Sequence, residues 1–368
     1  MEELPLYEPS GSGTHSWLWI EKRRHNTLDA ARRLAALLNV RAADAGIGGL
    51  KDAQSVSRQW ISFEHVSELA LKEIETLADP NIRVLNVTRH GNKLKMGHLR
   101  GNRFIVRLRV ANCAGTRAAN GGLPVAHIDS RATGSLLLAA RDILEDRTRE
   151  VLSRLVEKGI PNYYGPQRFG RDGLNADLGR MLVKGDVAAF EKMYADTSQS
   201  RRPDRKLRNL LVNSFQSALF NQVLASRMPE IGRLQAGDLA FLHRNGAVFK
   251  VASAEETARE QARADKFEIS PSGPLFGERT LLPDGEPGEL ERRVLAEAGV
   301  SLADFGRKEA ESQPGARRAL RIGFLEPPTS ESDAEGVVLR FALPSGSYAS
   351  VVIREIIGDG ENQNALPE

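Results

Sequence analysis

Gly101-Asn102-Arg103-Phe104-Ile105-Val106-Arg107-Leu108-Arg109-Val110 is the stretch that decides the fold class. Phe104, Val106, Leu108 and Val110 fall on one side of an extended chain. Arg103, Arg107 and Arg109 fall on the other, with Ile105 interrupting the basic row. That alternation is the period of a strand with one face on a core, and Gly101-Asn102 is expected to open it with a turn. The basic character reaches further out. From Asn81 to Val110 there is no Asp or Glu, while Arg83, Arg89, Lys93, Lys95, Arg100 and the three strand arginines lie there with His90 and His98. Like charges this dense repel unless a polyanion neutralises them. The alternative is a solvated face, and the same two readings apply to Arg201, Arg202, Arg205, Lys206 and Arg208.

Upstream of the strand, residues Asn26 to Asn39 read as a helix. Asn26 or Thr27 can cap it, Asp29 sits in the first turn, and Leu28, Ala31, Leu34, Ala35 and Leu38 mark one face. A glycine turn, Gly46 to Gly49, leads into Leu50-Lys51-Asp52, and Val56 to Phe63 alternate as a strand. Downstream come a small-residue linker (Gly115 to Leu123) and a long helix from about Ser130 to Lys158. Ile160 to Gly173 forms a shaped loop rich in Pro, Gly and aromatics, and Leu207 to Met228 forms a further helix. Glu326 to Gly336 reads as a polar linker before two closing strands, Val337 to Leu343 and Ser350 to Ile357. Strands and helices mix without regular βαβ alternation, which favours an α+β fold.

Composition narrows the setting. The chain has 368 residues, enough for two domains. Its net charge is only +3, and its single cysteine, Cys113, excludes an intramolecular disulfide. The N-terminus has no signal-peptide pattern and no apolar run approaches the ~18 residues of a membrane helix, so a cytoplasmic location is expected. There is no phosphate-binding G-x-x-x-x-G-K-[ST] loop, no H-E-x-x-H and no G-x-S-x-G. The seven histidines are scattered and support no metal site. Gly46 to Gly49 lack the order of a dinucleotide loop.

Four segments remain. They are Gly48-Gly49-Leu50-Lys51-Asp52 with Gln59 downstream; Asn92 to Phe104 (NKLKMGHLRGNRF); Pro161 to Gly170 (PNYYGPQRFG); and Leu343 to Ser350 (LPSGSYAS) with Arg354-Glu355. In this order they resemble the TruD family of tRNA pseudouridine synthases, and the match runs across nearly the whole chain. Asn209 to Asn221 and Ile269 to Gly277 also look like family signatures. The resemblance implies a pseudouridine synthase fold, with a mixed, mainly antiparallel sheet flanked by helices. It also implies an inserted α+β domain that forms a V-shaped cleft. The catalytic domain would span 1–160 and 321–368, and the inserted domain 161–320.

The reaction so implied is redox-neutral isomerisation of a uridine in tRNA, at position 13, without cofactor or metal. The family's catalytic aspartate falls on Asp52. Read alone, an Asp after a glycine turn is a turn former or cap. As a catalyst it would be a nucleophile or the base that takes a sugar proton. The target base must be flipped out and stacked, and the family's stacking aromatic falls on Phe104. By its own pattern Phe104 is equally a core residue. Asn102 can hydrogen-bond the pyrimidine edge or shape the turn. Lys51, Gln167, Arg168, Tyr348 and Arg354 are further candidates for substrate binding, and Lys93, Lys95, Arg100 and Arg103 for the RNA backbone. The expected partner is tRNA, bound by a monomer with no membrane association. A non-catalytic RNA-binding or RNA-folding protein on the same scaffold is the alternative. Family members also carry a stretch ahead of the point where this chain begins, with an edge strand and a lysine near the active site. After Asp52, where they commonly have a basic residue and later a threonine, this chain has Ala53 and Ser57.

Overall fold

The computed structural model describes residues 1–75, 79–109, 111–113, 127–129, 134–197, 203–333 and 335–358. The expected small-residue linker, and Arg201 and Arg202 of the second basic cluster, lie outside them. The chain forms two compact units, residues 1–149 with 324–346 and residues 150–323 with 347–368. The sequence reading had placed the divisions at 160/161 and 320/321; by contacts the terminal segment from Ser347 belongs with the second unit.

The first unit is built on one sheet. Its strands in chain order are β1 (Glu2–Pro5), β2 (His15–Lys22), β3 (Gly46–Ile47), β4 (Ser57–Glu64), β5 (Ile82–His90) and β6 (Leu99–Leu108). The strands Gly336–Pro344 and Glu326–Asp333 complete it beyond β6. The spatial order from that edge is Glu326–Asp333, Gly336–Pro344, β6, β1, β4, β2, β5, with β3 on β4. Within this sheet the described pairings are antiparallel except β1 with β4. Helix α1 (Thr27–Leu37) starts where expected, with the Asn26 side chain accepting from Asp29 N. With α2 (Glu68–Glu75) it covers one face of the sheet. Ala30, Ala31, Leu34, Leu71 and Ile74 pack there on Leu18, Ile20, Ile61, Phe63 and Ile82. Truncating Leu34, Ile61 or Leu71 to Ala removes about 2–5 kcal/mol. The other face holds Trp17, Trp60 and Leu94, with Tyr7 and Trp19 against them.

Three readings are corrected. Gly101-Asn102 does not turn the chain ahead of β6 but lies within it, because a Cβ at Gly101 would come 2.1 Å from Leu343 O of the neighbouring strand. The glycine serves close backbone approach. Glu326–Asp333 is a strand, not a linker. As an edge it needs no apolar face and tolerates Pro327 and Pro328. Ser350 to Ile357 is helical, within Ala349–Ile357. Val352, Ile353 and Ile356 are buried at helical spacing, and that packing outweighs their β propensity.

The second unit carries a four-stranded sheet, in the order Val248–Lys250, Leu239–Leu242, Ile269–Leu275, Ala316–Ala319. Its core gathers Leu178, Leu182, Leu211, Phe215, Leu219, Phe276 and Phe305. The expected helix over Leu207 to Met228 is Arg205–Ser226, capped by Asp204 accepting from Leu207 N. The shaped loop begins as a two-residue strand, Ile160–Pro161, paired with Arg321–Ile322, and continues as single helical turns.

Candidate active site

Residues 48–52 form a loop clamped from below. Thr27, the first residue of α1, accepts from Lys51 N through its hydroxyl (2.7 Å) and donates to Gln59 Oε1 of β4 (2.9 Å). Gly48 O accepts from Gly97 N (2.8 Å). The Lys51 side chain turns inward. Its Nζ pairs with Glu3 Oε2 of β1 (2.8 Å) and donates to Asn102 Oδ1 of β6 (2.8 Å). The pair is almost fully sequestered, at 2% exposure for Lys51 and 1% for Glu3. A Cβ on Gly49 would stand 3.1 Å from Lys51 Nζ, so glycine there gives the ammonium its room. Burial pushes the Glu3 carboxyl up, and Lys51 opposes that shift. Lys51 was expected to bind substrate; instead its ammonium is committed to Glu3 and Asn102.

Asp52 follows directly and is exposed. Its Oδ1 accepts from Gln54 N (3.0 Å), and its Oδ2 has no hydrogen-bond partner among the described residues. One oxygen is thus held while the other is presented to solvent. Beneath the loop lies a residue the sequence reading missed. Lys22, the last residue of β2, is buried and donates to Asp52 O (2.9 Å). The signal was present in the alternation Leu18, Ile20, Lys22, which puts a lysine at a core-facing strand position.

Asn102 and Phe104 share one face of β6 by strand alternation. The Phe104 ring is half-buried and stacks on Phe341 of the adjacent strand, with centroids 5.5 Å apart. With Oδ1 taken by Lys51, Asn102 keeps its amide N–H groups for another acceptor. The opposite face of β6 differs from expectation. Arg103 is gripped by Glu326 (2.6 and 2.8 Å) and by Glu2 (2.7 Å). Arg107 pairs with Asp333 and Arg109 with Glu335. The strand arginines, Arg103 included, are therefore neutralised by acids far away in sequence, and Glu326 and Asp333 are held below the ordinary carboxylate range by those hydrogen bonds. Lys93, Lys95 and Arg100 form no ion pair among the described residues.

The remaining candidates belong to the second unit. Arg168 donates to Ser217 Oγ (3.1 Å), and its guanidinium lies 5.5 Å from the Tyr164 ring centroid. Arg318, which the sequence reading did not single out, lies 4.3 Å from the same centroid and donates to Asn162 Oδ1 (2.5 Å). The Tyr348 ring meets Tyr164 edge-on at 6.0 Å, and burial pushes its hydroxyl pKa up. Gly165 packs against Ser350 and Tyr348. Arg354 stacks over Tyr163 at 5.3 Å, and Gln167 is exposed. No group of His, Cys, Asp and Glu suited to a metal occurs among the described residues, and no described helix is long and apolar enough to cross a membrane.

A family model described as tRNA pseudouridine synthase D (TruD) matches residues 1–123, 138–206 and 200–356. A tRNA pseudouridine synthase D of Geobacter metallireducens is 36% identical, over 98% of this chain and 93% of its own length. One from Anaeromyxobacter sp. strain Fw109-5 is 37% identical over 100% and 91%. A crystal structure of a putative tRNA pseudouridine synthase D from Methanosarcina mazei shares the fold, with a TM-score of 0.71, 21% identity and coverage of 97% and 90%.

Proposed function

The chain belongs to the tRNA pseudouridine synthase D family, and from that premise we propose that it isomerises uridine 13 of tRNA with Asp52 as the catalytic carboxylate. As a member it is an isomerase acting on uridine in tRNA. The bond from the sugar to N1 breaks, the uracil turns, carbon 5 joins the sugar, the proton on carbon 5 leaves to solvent, and N1 takes up a proton in its place. No electrons are gained or lost overall. Asp52 offers its unpartnered Oδ2 to the sugar or the base, while Gln54 N holds Oδ1. Phe104, backed by Phe341, supplies the apolar face on which the flipped base rests. Asn102 donates its amide N–H to a uracil carbonyl, and Lys51 acts through Asn102 by fixing its Oδ1. Lys93, Lys95 and Arg100 meet phosphates. In the second unit, which would carry the family's inserted domain (161–320), Arg168, Gln167, Tyr348 and Arg354 are assigned to the RNA. The chain is taken to act as a cytoplasmic monomer.

The observation that carries this reading is the Lys51 bridge, which ties the residue next to Asp52 to Asn102 on the face that bears Phe104. Release of tritium from tRNA labelled at uridine carbon 5 tests it. Wild type should release tritium and Asp52→Ala should not. Equal release by both proteins removes Asp52 from the chemistry, and free uracil would mean hydrolysis. Binding of tRNA by wild type without release would mean a binding module.

A further inference from the structure

We propose that Lys22 is a positioning residue whose ammonium fixes the backbone of the Asp52 turn by filling three carbonyl acceptors at once. The inference rests on the assignment of Asp52 as the catalytic carboxylate. Lys22 Nζ donates to His25 O (2.7 Å), Asp52 O (2.9 Å) and Lys51 O (3.3 Å). The side chain is buried at the end of β2. These acceptors come from two segments, the lead into α1 and the catalytic turn, so the one ammonium joins them. An ammonium has three N–H donors and a neutral amine only two. The stoichiometry matches the charged form alone: a deprotonated Lys22 must release one carbonyl.

The charged groups around it are few. Asp52 and Lys51 lie on the turn, and the Lys51 ammonium is already held by Glu3. Glu21 of the same strand points to the other face, where it binds Arg58 and Arg23. His25 contributes its carbonyl at the start of α1, and the Met1 amine near β4 donates to Val56 O. Burial is the main cause that lowers the Lys22 pKa from 10.5 to about 8, with Asp52 opposing. The loss of the third hydrogen bond therefore falls within reach of an ordinary assay. Its sign separates positioning from folding. As pH rises through about 8 the folded chain gives up this proton before the unfolded chain does. Through this group, folding stability then rises with pH rather than falling. Activity should drop while the fold holds.

The experiment is steady-state kinetics on tRNA across the alkaline range, with melting temperature followed in the same buffers. Wild-type kcat should fall with a midpoint near the Lys22 value while the melting temperature is maintained. Lys22→Met should lower kcat by about tenfold or more with KM changed less than about threefold, because a small misplacement of the carboxylate acts on the chemical step. That variant should also lose the alkaline limb. A wild-type kcat that stays flat through the range overturns the proposal, as does a limb that persists unchanged in Lys22→Met. If Lys22→Met does not fold, the wild-type profile with its melting curve decides alone. Asp52→Ala run in parallel keeps the two readings apart. An active Asp52→Ala defeats the catalytic assignment and this proposal with it, whereas an inactive Asp52→Ala beside a flat wild-type profile defeats this proposal only.

Discussion

Lys51 and Asp52 are neighbours in the chain with opposite fates. One is buried in an ion pair, and the other faces solvent. Their order follows from the turn: Thr27 holds Lys51 N, so the Lys51 side chain enters the sheet toward β1 and β6 while Asp52 turns out. A buried ammonium and carboxylate are costly apart and tolerable together. Lys51→Met leaves Glu3 buried without its cation, and the loss of one partner of a buried pair costs about 3–5 kcal/mol. The double variant Lys51→Met with Glu3→Gln should recover most of that stability, measured by urea unfolding. It should not recover kcat, because Asn102 would still lack the donor that sets its amide. A double variant as active as wild type would reduce the Lys51–Asn102 contact to packing. Asp52 is proposed from its motif, and its exposed place on the turn agrees with the glycines before it. The inward turn of Lys51 was not, since its partners lie on strands 48 and 51 positions away.

At the scale of elements, β6 shows how an apparently basic strand loses its charge. The edge strand Glu326–Asp333 and its turn bring Glu326, Asp333 and Glu335 against Arg103, Arg107 and Arg109. Among the described residues, Lys93 and Lys95 of the loop ahead of β6 and Arg100 at its start have no such acid partner and stay available. Replacing Lys95 with Ala should flatten the dependence of log K for tRNA on log salt by about 0.7–0.9, one phosphate contact's worth of released counterions. Arg107→Ala should leave that slope nearly unchanged, because its charge is already cancelled by Asp333. Filter binding at several salt concentrations checks both. Equal effects would mean that RNA displaces the acids. The strand period of β6 was plain from the sequence. The neutralisation was not, because the acids sit in a segment whose polar composition reads as a linker.

The whole molecule divides into two units, each with its own core. Units of this kind are expected to unfold as separate cooperative bodies. All three tryptophans, Trp17, Trp19 and Trp60, lie in the first unit, so their fluorescence reports that unit while circular dichroism reports both. Phe305 is fully buried in the core of the second unit beside Phe215 and Phe276. Phe305→Ala should remove about 3–5 kcal/mol from that unit. The dichroism melt should then begin earlier and the tryptophan transition stay in place. A joint shift of both signals would show one cooperative body.

Local periodicity was enough for α1, β4, β6 and the helix Arg205–Ser226, because each has an apolar face that repeats at its own period. Motif order was enough for the family, and it nominated Asp52 as the candidate carboxylate. Elements without an apolar face, or with a misleading one, were out of reach. β1 is a short acidic strand whose charges are compensated from β6 and the turn, and Ala349–Ile357 is a helix written in β-branched residues. What tertiary structure alone decided is where the charges go. Arg103 meets Glu326 across 223 positions, and Lys22 meets the carbonyl of Asp52 across 30. A charge's role depends on what compensates it in space, and a sequence records only what adjoins it along the chain.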